Sequence, residues 1–529
     1  MNKIPFSIGQ APGVAIMPPN ADATFTNATG SSSVFAGVVV AKRGKPNTVQ
    51  LVTPDTLQKV LGDPIHPQSG DHFEPYRHVY QALNGGNGYV VRVAPSNMKI
   101  PMLEMVSTFT GGKDPIPILH ATDFYSDDEI KIPSNAFFGI YVNDGDASTN
   151  RTLSLIPVKD NDGMYSLILK QVDNLGNKIT LDTIQVSFDP EATDDMGQPA
   201  FLPTALENNT HRLRAIVGQN IKEDSRTIHF DGFEDKFFVG GSDGNMSSIT
   251  DADYSKAIKA LGASMVNYTA ILSLGCYNLT ALSELAKLAN EVRVDMFYDL
   301  KPSSMPSSAI EEAKSHGFGA YAHICRYHLP YSCRDAFSGV QVVYGLSGDV
   351  FTAKAKGVAM VSDVGGYHLS PAGQSRGVLL RQNIKPLPAM ADIDHELYAA
   401  HGINTVGFAS DGSVMIDDAL TTYAKRNYFR FQHVNSTFNA IARLVYDIGN
   451  ALKHEPDGIT RRGLEREIPK LLDRFVASEA LVSPRDATDG TAPYVVTVTQ
   501  SEFDMWHVRY AACPTGVSRR IVAEPVLIP

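Results

Sequence analysis

The chain is poor in cysteine, in positive charge and in long hydrophobic runs. Four cysteines in 529 residues (Cys276, Cys325, Cys333 and Cys513) are too few for a disulfide framework and fit free thiols in a reducing compartment. Lys and Arg number 46 against 57 Asp and Glu, a formal net charge of -11. That balance excludes a general nucleic-acid coat, which needs surplus cations to displace counterions from phosphates. The run Val34 to Ala41 is cut off by Lys42 and Arg43, far short of the roughly 20 apolar residues that span a bilayer. Met1 to Gln10 has no apolar stretch, so neither a secretory signal nor membrane insertion is expected. The protein is expected to be made and kept in a cytoplasm. A nucleophile elbow, a complete P-loop and a dinucleotide fingerprint are also missing.

Ordinary material fills the space these absences leave. Hydrophobic residues at 43% and charged residues at 19% allow normal cores, and the length implies two to four domains. Residues 1–29 carry Pro5, Pro12, Pro18 and Pro19 and little periodicity, and read as an extended arm. Residues 30–96 read as a small α/β unit: a buried strand from Val34, short helices to Leu61 and over Pro75 to Leu83, glycines, and a strand over Tyr89 to Val93. Residues 97–231 alternate in short runs split by turn residues and read as an inserted outer all-β domain. Residues 232–490 alternate strand and helix, with Thr250 to Asp253 as an N-cap, which implies parallel strands and a doubly wound layer. In that stretch, Asp417 to Leu452 reads as a helical block and Thr460 to Leu481 as a further helix. Residues 491–529 hold strands at Tyr494 to Thr499 and Trp506 to Tyr510, then a second arm. The fold class expected is α/β and α+β multidomain, with a doubly wound α/β core, an inserted all-β domain and extended N- and C-terminal arms.

Several clusters invite chemistry. Gly85-Gly86-Asn87-Gly88 lies between a helix and a strand, the reverse of a phosphate cradle, and reads as a helix stop. His323, Cys325, His328 and Cys333 match no common zinc spacing, so packing is the alternative to a metal site. Asn143-Asp144-Gly145-Asp146 resembles the start of a calcium loop but lacks its closing Glu, and reads as a hairpin turn. Asp392, Asp394, His395 and Glu396 read either as acid/base groups or as a solvated face. No cofactor is expected.

The order of signals resembles the contractile tail sheath family over most of the chain. Pro12-Gly13-Val14 is similar to its N-terminal arm motif, and Phe35-Ala36-Gly37 with Arg43-Gly44 and Pro46 to its first strand and turn. Gly85-Gly86 with Tyr89 to Val93, Phe238 to Gly244 with Asp253-Tyr254 and Ala257, Asn404, the helix through Val434 to Ile448 and Glu455-Pro456 continue the likeness. The family's tryptophan-containing segment before the long helix is missing from Val414 to Tyr423, and Asp363 to Ala372 departs from its pattern, as in a divergent member.

The resemblance implies a structural subunit, not an enzyme, that polymerises into a sixfold helical sheath around a tail tube. Contraction would drive the tube through a host envelope without nucleotide hydrolysis. The sheath of a phage-derived bacteriocin or injection system, or an enzyme on a doubly wound domain, are the alternatives. Partners implied are other copies of the chain, the tube protein, and baseplate and neck or terminator proteins, within a virion tail. The resemblance also implies arms donated as strands to neighbours: Pro12, Gly13, Val14, Ala15 and Ile16 at one end, Arg519, Arg520, Ile521 and Val522 at the other. Arg461, Arg462, Arg466, Lys470 and Arg474 form a basic helix face, read as solvated or as a docking surface for the tube or an acidic neighbouring subunit.

Overall fold

The computed structural model describes residues 33–108, 116–147, 150–159, 161, 163–218, 230–387, 393–486, 488, 490–502 and 505–520. The segment FAGVVV has no polar alternation, so it suits a strand covered on both faces. Phe35–Val40 is indeed buried at every position. It lies inside a seven-stranded sheet of order Ile403–Asn404, Ile324–Tyr327, Asp295–Asp299, Ala270–Leu272, Phe35–Val40, Gly88–Val93, Val49–Val52. The pairings are parallel except the last, where Val49–Val52 runs antiparallel to Gly88–Val93. One face packs on helices Glu74–Ala82 and Ser347–Ala359 through Phe35, Val79, Phe297 and Phe351. The other packs on Asp251–Ala263, Leu279–Glu291 and Pro306–Ser315 through Val38, Leu261, Leu285 and Met296.

This pairing corrects the expectation of a separate small unit over 30–96. Phe35 and Ala36 register with Ala270 and Ile271, so the first strands complete the same sheet as the later ones. Periodicity reports which residues are buried, not which distant strand buries them. Helix Glu74–Ala82 ends before the glycines, as expected, but without a left-handed glycine cap. None of Gly85, Gly86 and Gly88 has positive φ. A Cβ on Gly86 would lie 2.0 Å from the Ser33 carbonyl oxygen, so close backbone approach is what demands glycine there.

Between Lys99 and Phe237 the described strands form two four-stranded antiparallel sheets. Leu103, Phe138 and Ile140 of one meet Leu155, Leu167 and Val186 of the other in a single core. Helix Leu202–Asn209, absent from the sequence reading, adds Leu202, Ala205 and Leu206 to that core. The entry and exit of this lobe lie side by side: Lys99 and Ser242 exchange backbone hydrogen bonds of 2.8 and 3.0 Å.

Asn143-Asp144-Gly145-Asp146 is not the expected hairpin turn, because Ala136–Val142 and Arg151–Pro157 belong to different sheets. It is the clamp between the lobe and the seven-stranded sheet. Asp144 accepts two bonds from buried Arg151 (3.0 and 2.8 Å), and Asp146 accepts one from Arg43 (2.6 Å). Buried Arg92 donates to the carbonyls of Gly44 and Gly145 and to Asp243. Gly145, at φ +73°, sits so close that a Cβ would meet the Gly44 carbonyl oxygen at 1.9 Å.

Thr250 caps Asp251–Ala263 with a full capping box to Asp253, as its sequence implies, but the helix passes Gly262 before ending. The expected helical block from Asp417 begins only at Gln432 and runs to Leu452. Tyr428, placed in it by spacing, is 68% exposed. The first turns of Gln432–Leu452 are instead buried and polar: Gln432 and Asn439 donate to Asp295 at 3.2 Å each, and Ser436 donates to the same carboxylate. The second long helix, Asp457–Ala477, packs beside it through Leu464, Ile468, Leu472 and Phe475.

Candidate assembly surface

The last strands, Tyr494–Glu502 and Met505–Ala512, pair only with each other. Their alternation sets which face is wet. Tyr494, Val496, Val498, Trp506, Val508 and Tyr510 pack on the two long helices, while Val495 (59%) and Met505 (47%) are exposed on the opposite face. The Tyr494 hydroxyl donates to Asp473 at 2.6 Å, and burial together with that carboxylate pushes it up to about 12. The hairpin is thus held on one face by apolar contact and by this hydrogen bond at the solvent boundary. Among the described residues, neither long edge of this two-stranded sheet has a strand beside it. A strand edge exposes a row of N–H and C=O groups that can receive another chain.

After the hairpin the chain folds back on its own body. Val482 donates to the Cys513 carbonyl (2.9 Å) and Thr515 to that of Ala480 (3.0 Å). Arg519 then donates Nε to Asp418 at 2.9 Å, makes a second contact to the same carboxylate, and stands 5.6 Å over the Phe431 ring. Arg519 and Arg520 are not in a strand in the described residues; Arg520 is exposed. Ile521 and Val522 lie outside the described residues, as do Pro12, Gly13, Val14, Ala15 and Ile16.

The basic helix face is largely answered by its own chain. Arg461 pairs with Glu465 (2.9 Å), Arg466 with Glu467 (2.7 Å), and Arg474 with Asp363, whose carboxyl it holds below the usual range. Arg462 donates to the Gly458 carbonyl, and Lys470 is exposed. The acids were legible in the sequence as Glu465 and Glu467 between the arginines; Asp363 was not, being 111 positions from its partner.

The chemical clusters are dispersed or sealed. His323 bonds the Ala286 carbonyl, His328 bonds the Tyr398 hydroxyl at 2.8 Å, and Cys325 and Cys333 sit in two different apolar clusters. No group of three or more His, Cys, Asp or Glu able to hold a metal occurs among the described residues. Asp394 caps helix His395–Ala400, and His395 contacts Asp417 at 3.1 Å; Asp392 lies outside the described residues.

Sequence reading missed one constellation. His78 Nδ1 lies 3.0 Å from Ser347 Oγ, with Glu74 and Asp299 nearby, which has the outline of a nucleophile, base and acid. Ser347, His78 and Asp299 are each 0% exposed. Asp299 also accepts the backbone N–H groups of Leu346 and Ser347 at the start of helix Ser347–Ala359. That helix N-terminus is where a doubly wound fold would place a phosphate. Here the chain's own carboxylate fills it.

No protein-family model matches the sequence, and no curated protein matches it. Solved structures do. The sheath tail protein of Listeria innocua superposes with a TM-score of 0.54 at 12% identity, covering 93% of this chain and 97% of that one. The sheath tail protein of Desulfitobacterium hafniense gives 0.48 at 13% identity over 94% and 100% of the two chains. The contracted helical sheath of the anti-feeding prophage gives 0.47 at 12% over 98% and 99%. On the Listeria innocua comparison, which spans nearly the whole of both chains, this mixed α/β, multidomain protein has the fold of a sheath tail protein.

Proposed function

We propose that this chain is the repeating structural subunit of a contractile tail sheath, a divergent member of that family. The observation that carries the reading is the terminal hairpin, seated on the helix pair by one face and, among the described residues, with no strand beside either long edge. A neighbour's arm entering such an edge makes a handful of backbone hydrogen bonds, each contributing a net ~0.5–1.5 kcal/mol, so one donation contributes a few kcal/mol. The donors are residues 12–16 at one end and 519–522 at the other. Repeated head to tail with a rotation that does not close, the contact generates an open helix, sixfold about a tail tube. Cores then rotate past one another while arm tethers persist, and contraction draws on better-satisfied interfaces in the short state. In this reading the doubly wound core forms the sheath wall, the β lobe between Lys99 and Ser242 faces outward, and baseplate and neck or terminator proteins cap the ends. The particle is a virion tail, assembled in a bacterial cytoplasm, whose contraction serves genome ejection and host entry.

The sealed polar core around Asp299 supports a protein that works by contact and not by catalysis. Electron microscopy of the purified chain tests the proposal. Tubes are expected from the full chain, and folded, non-polymerising monomer from a chain lacking residues 1–20. Discrete closed oligomers from the full chain, or normal tubes from the truncated one, would overturn it.

A further inference from the structure

We infer that the cationic cleft beside the last described residues is a resting seat for this chain's own segment 521–529, occupied before the subunit meets a neighbour. The cleft, about 1480 Å³, lies among helix Pro306–Ser315, helix His395–Ala400 and the start of Gln432–Leu452. Three of its guanidiniums, Arg326, Arg376 and Arg430, donate to the backbone carbonyls of Ala313, Ser370 and Ala399. A carbonyl orients a guanidinium without neutralising it. Arg426 and Arg520 add two exposed cations to the lining. Of the lining carboxylates, Asp418 is taken by Arg519 and Asp417 contacts His395, which leaves Glu396. The cleft therefore holds uncompensated positive charge and suits an anionic occupant.

The chain delivers one to the rim. Val517 to Arg520 line the cleft, with Arg519 fixed to Asp418. The nine residues that follow, Ile-Val-Ala-Glu-Pro-Val-Leu-Ile-Pro, carry one carboxylate, Glu524, and no cation. Extended at roughly 3.3 Å per residue they reach ~30 Å. The half-buried Phe431 ring lies in the lining beside the point where Ile521 follows Arg520 in sequence. Tethering makes the effective concentration of the segment on the order of millimolar, so even weak contacts fill the site. The consequence rests on the sheath reading: a seated tail cannot be donated, and a neighbour must displace it.

The test uses the full chain with Cys513→Ser, Ala400→Cys and Val526→Cys, oxidised mildly at low concentration. Ala400 is exposed and lines the cleft, and the three remaining native cysteines are buried. A cross-linked monomer is expected, falling several-fold with Glu524→Lys and recovering when Arg426→Glu is added. Cross-linked dimers alone would show that the cleft serves a second copy, and absence of any cross-link would show an unrelated cleft; either result overturns the proposal. Polymerisation is scored separately: the cross-linked monomer should form tubes only after reduction. Failure of the unmodified chain to form tubes would remove the sheath reading and leave the cross-linking result standing.

Discussion

The seven-stranded sheet and the terminal hairpin are built from similar residues and end in opposite states. In the sheet, Phe35–Val40 is flanked on both edges and covered on both faces. In the hairpin, Tyr494–Glu502 has one partner strand and one covered face. Among the described residues the first is flanked by strands on both sides and the second is not, so local opening at the hairpin needs fewer contacts broken than opening of the sheet.

The largest effect is expected from Arg381→Ala. Arg381 forms a buried ion pair with Asp349 of helix Ser347–Ala359, donates to the Tyr344 and Gly345 carbonyls, and lies 3.7 Å over the Tyr344 ring. Removing it strands a buried carboxylate, at a cost of about 3–5 kcal/mol. Urea denaturation of the monomer should show this loss. A change below ~1 kcal/mol would mean that the core is looser than its burial implies.

Acid should act next, and on the same side of the contrast. Burial pushes His316, His328, His368 and His433 down to about 4 from an ordinary 6.5. Each then binds its proton more readily in the unfolded chain, so the stability tied to it is complete above pH 6.5 and lost as pH falls through 4. Each of the two most deeply buried rings, His328 and His433, contributes on the order of 3 kcal/mol, and the more solvated His316 and His368 contribute less. The urea midpoint should fall steeply between pH 6.5 and 4, and His328→Gln should flatten that slope. A midpoint independent of pH over this window would refute the burial of these rings.

What could be read from the sequence follows the same division. Segments whose burial is local, such as the capped helix from Asp251 and the strand FAGVVV, were legible from caps and periodicity. The joining of that strand to Ala270–Leu272 was not, because strand pairing across 235 positions leaves no local period. The start of Gln432–Leu452 was misread for a related reason. Its buried Gln432, Asn435 and Ser436 look solvated until Asp295 and neighbouring carbonyls appear as their partners. The hairpin strands were legible as strands; that, among the described residues, they pair only with each other was visible only in the sheet.

A smaller effect on the monomer, with a complete one on assembly, is expected from Ile521→Pro. Proline has no N–H to donate to a receiving edge. Thermal unfolding of the monomer should move by less than about 1 °C, while tubes disappear. Intact tubes, or a marked fall in monomer stability, would show that this segment belongs to its own core.

The smallest effect is expected on the basic helix. Arg461 and Glu465 are 62% and 43% exposed, and Arg466 and Glu467 are paired neighbours on the same surface. Exposed pairs of this kind contribute about 0–1 kcal/mol, so Arg461→Ala or Arg466→Ala should leave monomer unfolding within ~0.5 kcal/mol of the original. Lys470 separates the two readings of this face. As a solvated charge, Lys470→Ala should change neither stability nor assembly. As a docking charge toward an acidic tube or neighbouring subunit, the substitution should leave unfolding untouched and slow tube formation at low salt, with the difference vanishing as salt screens both forms. A salt-independent defect would point to lost packing instead, and no defect at all would favour the solvated reading of this face.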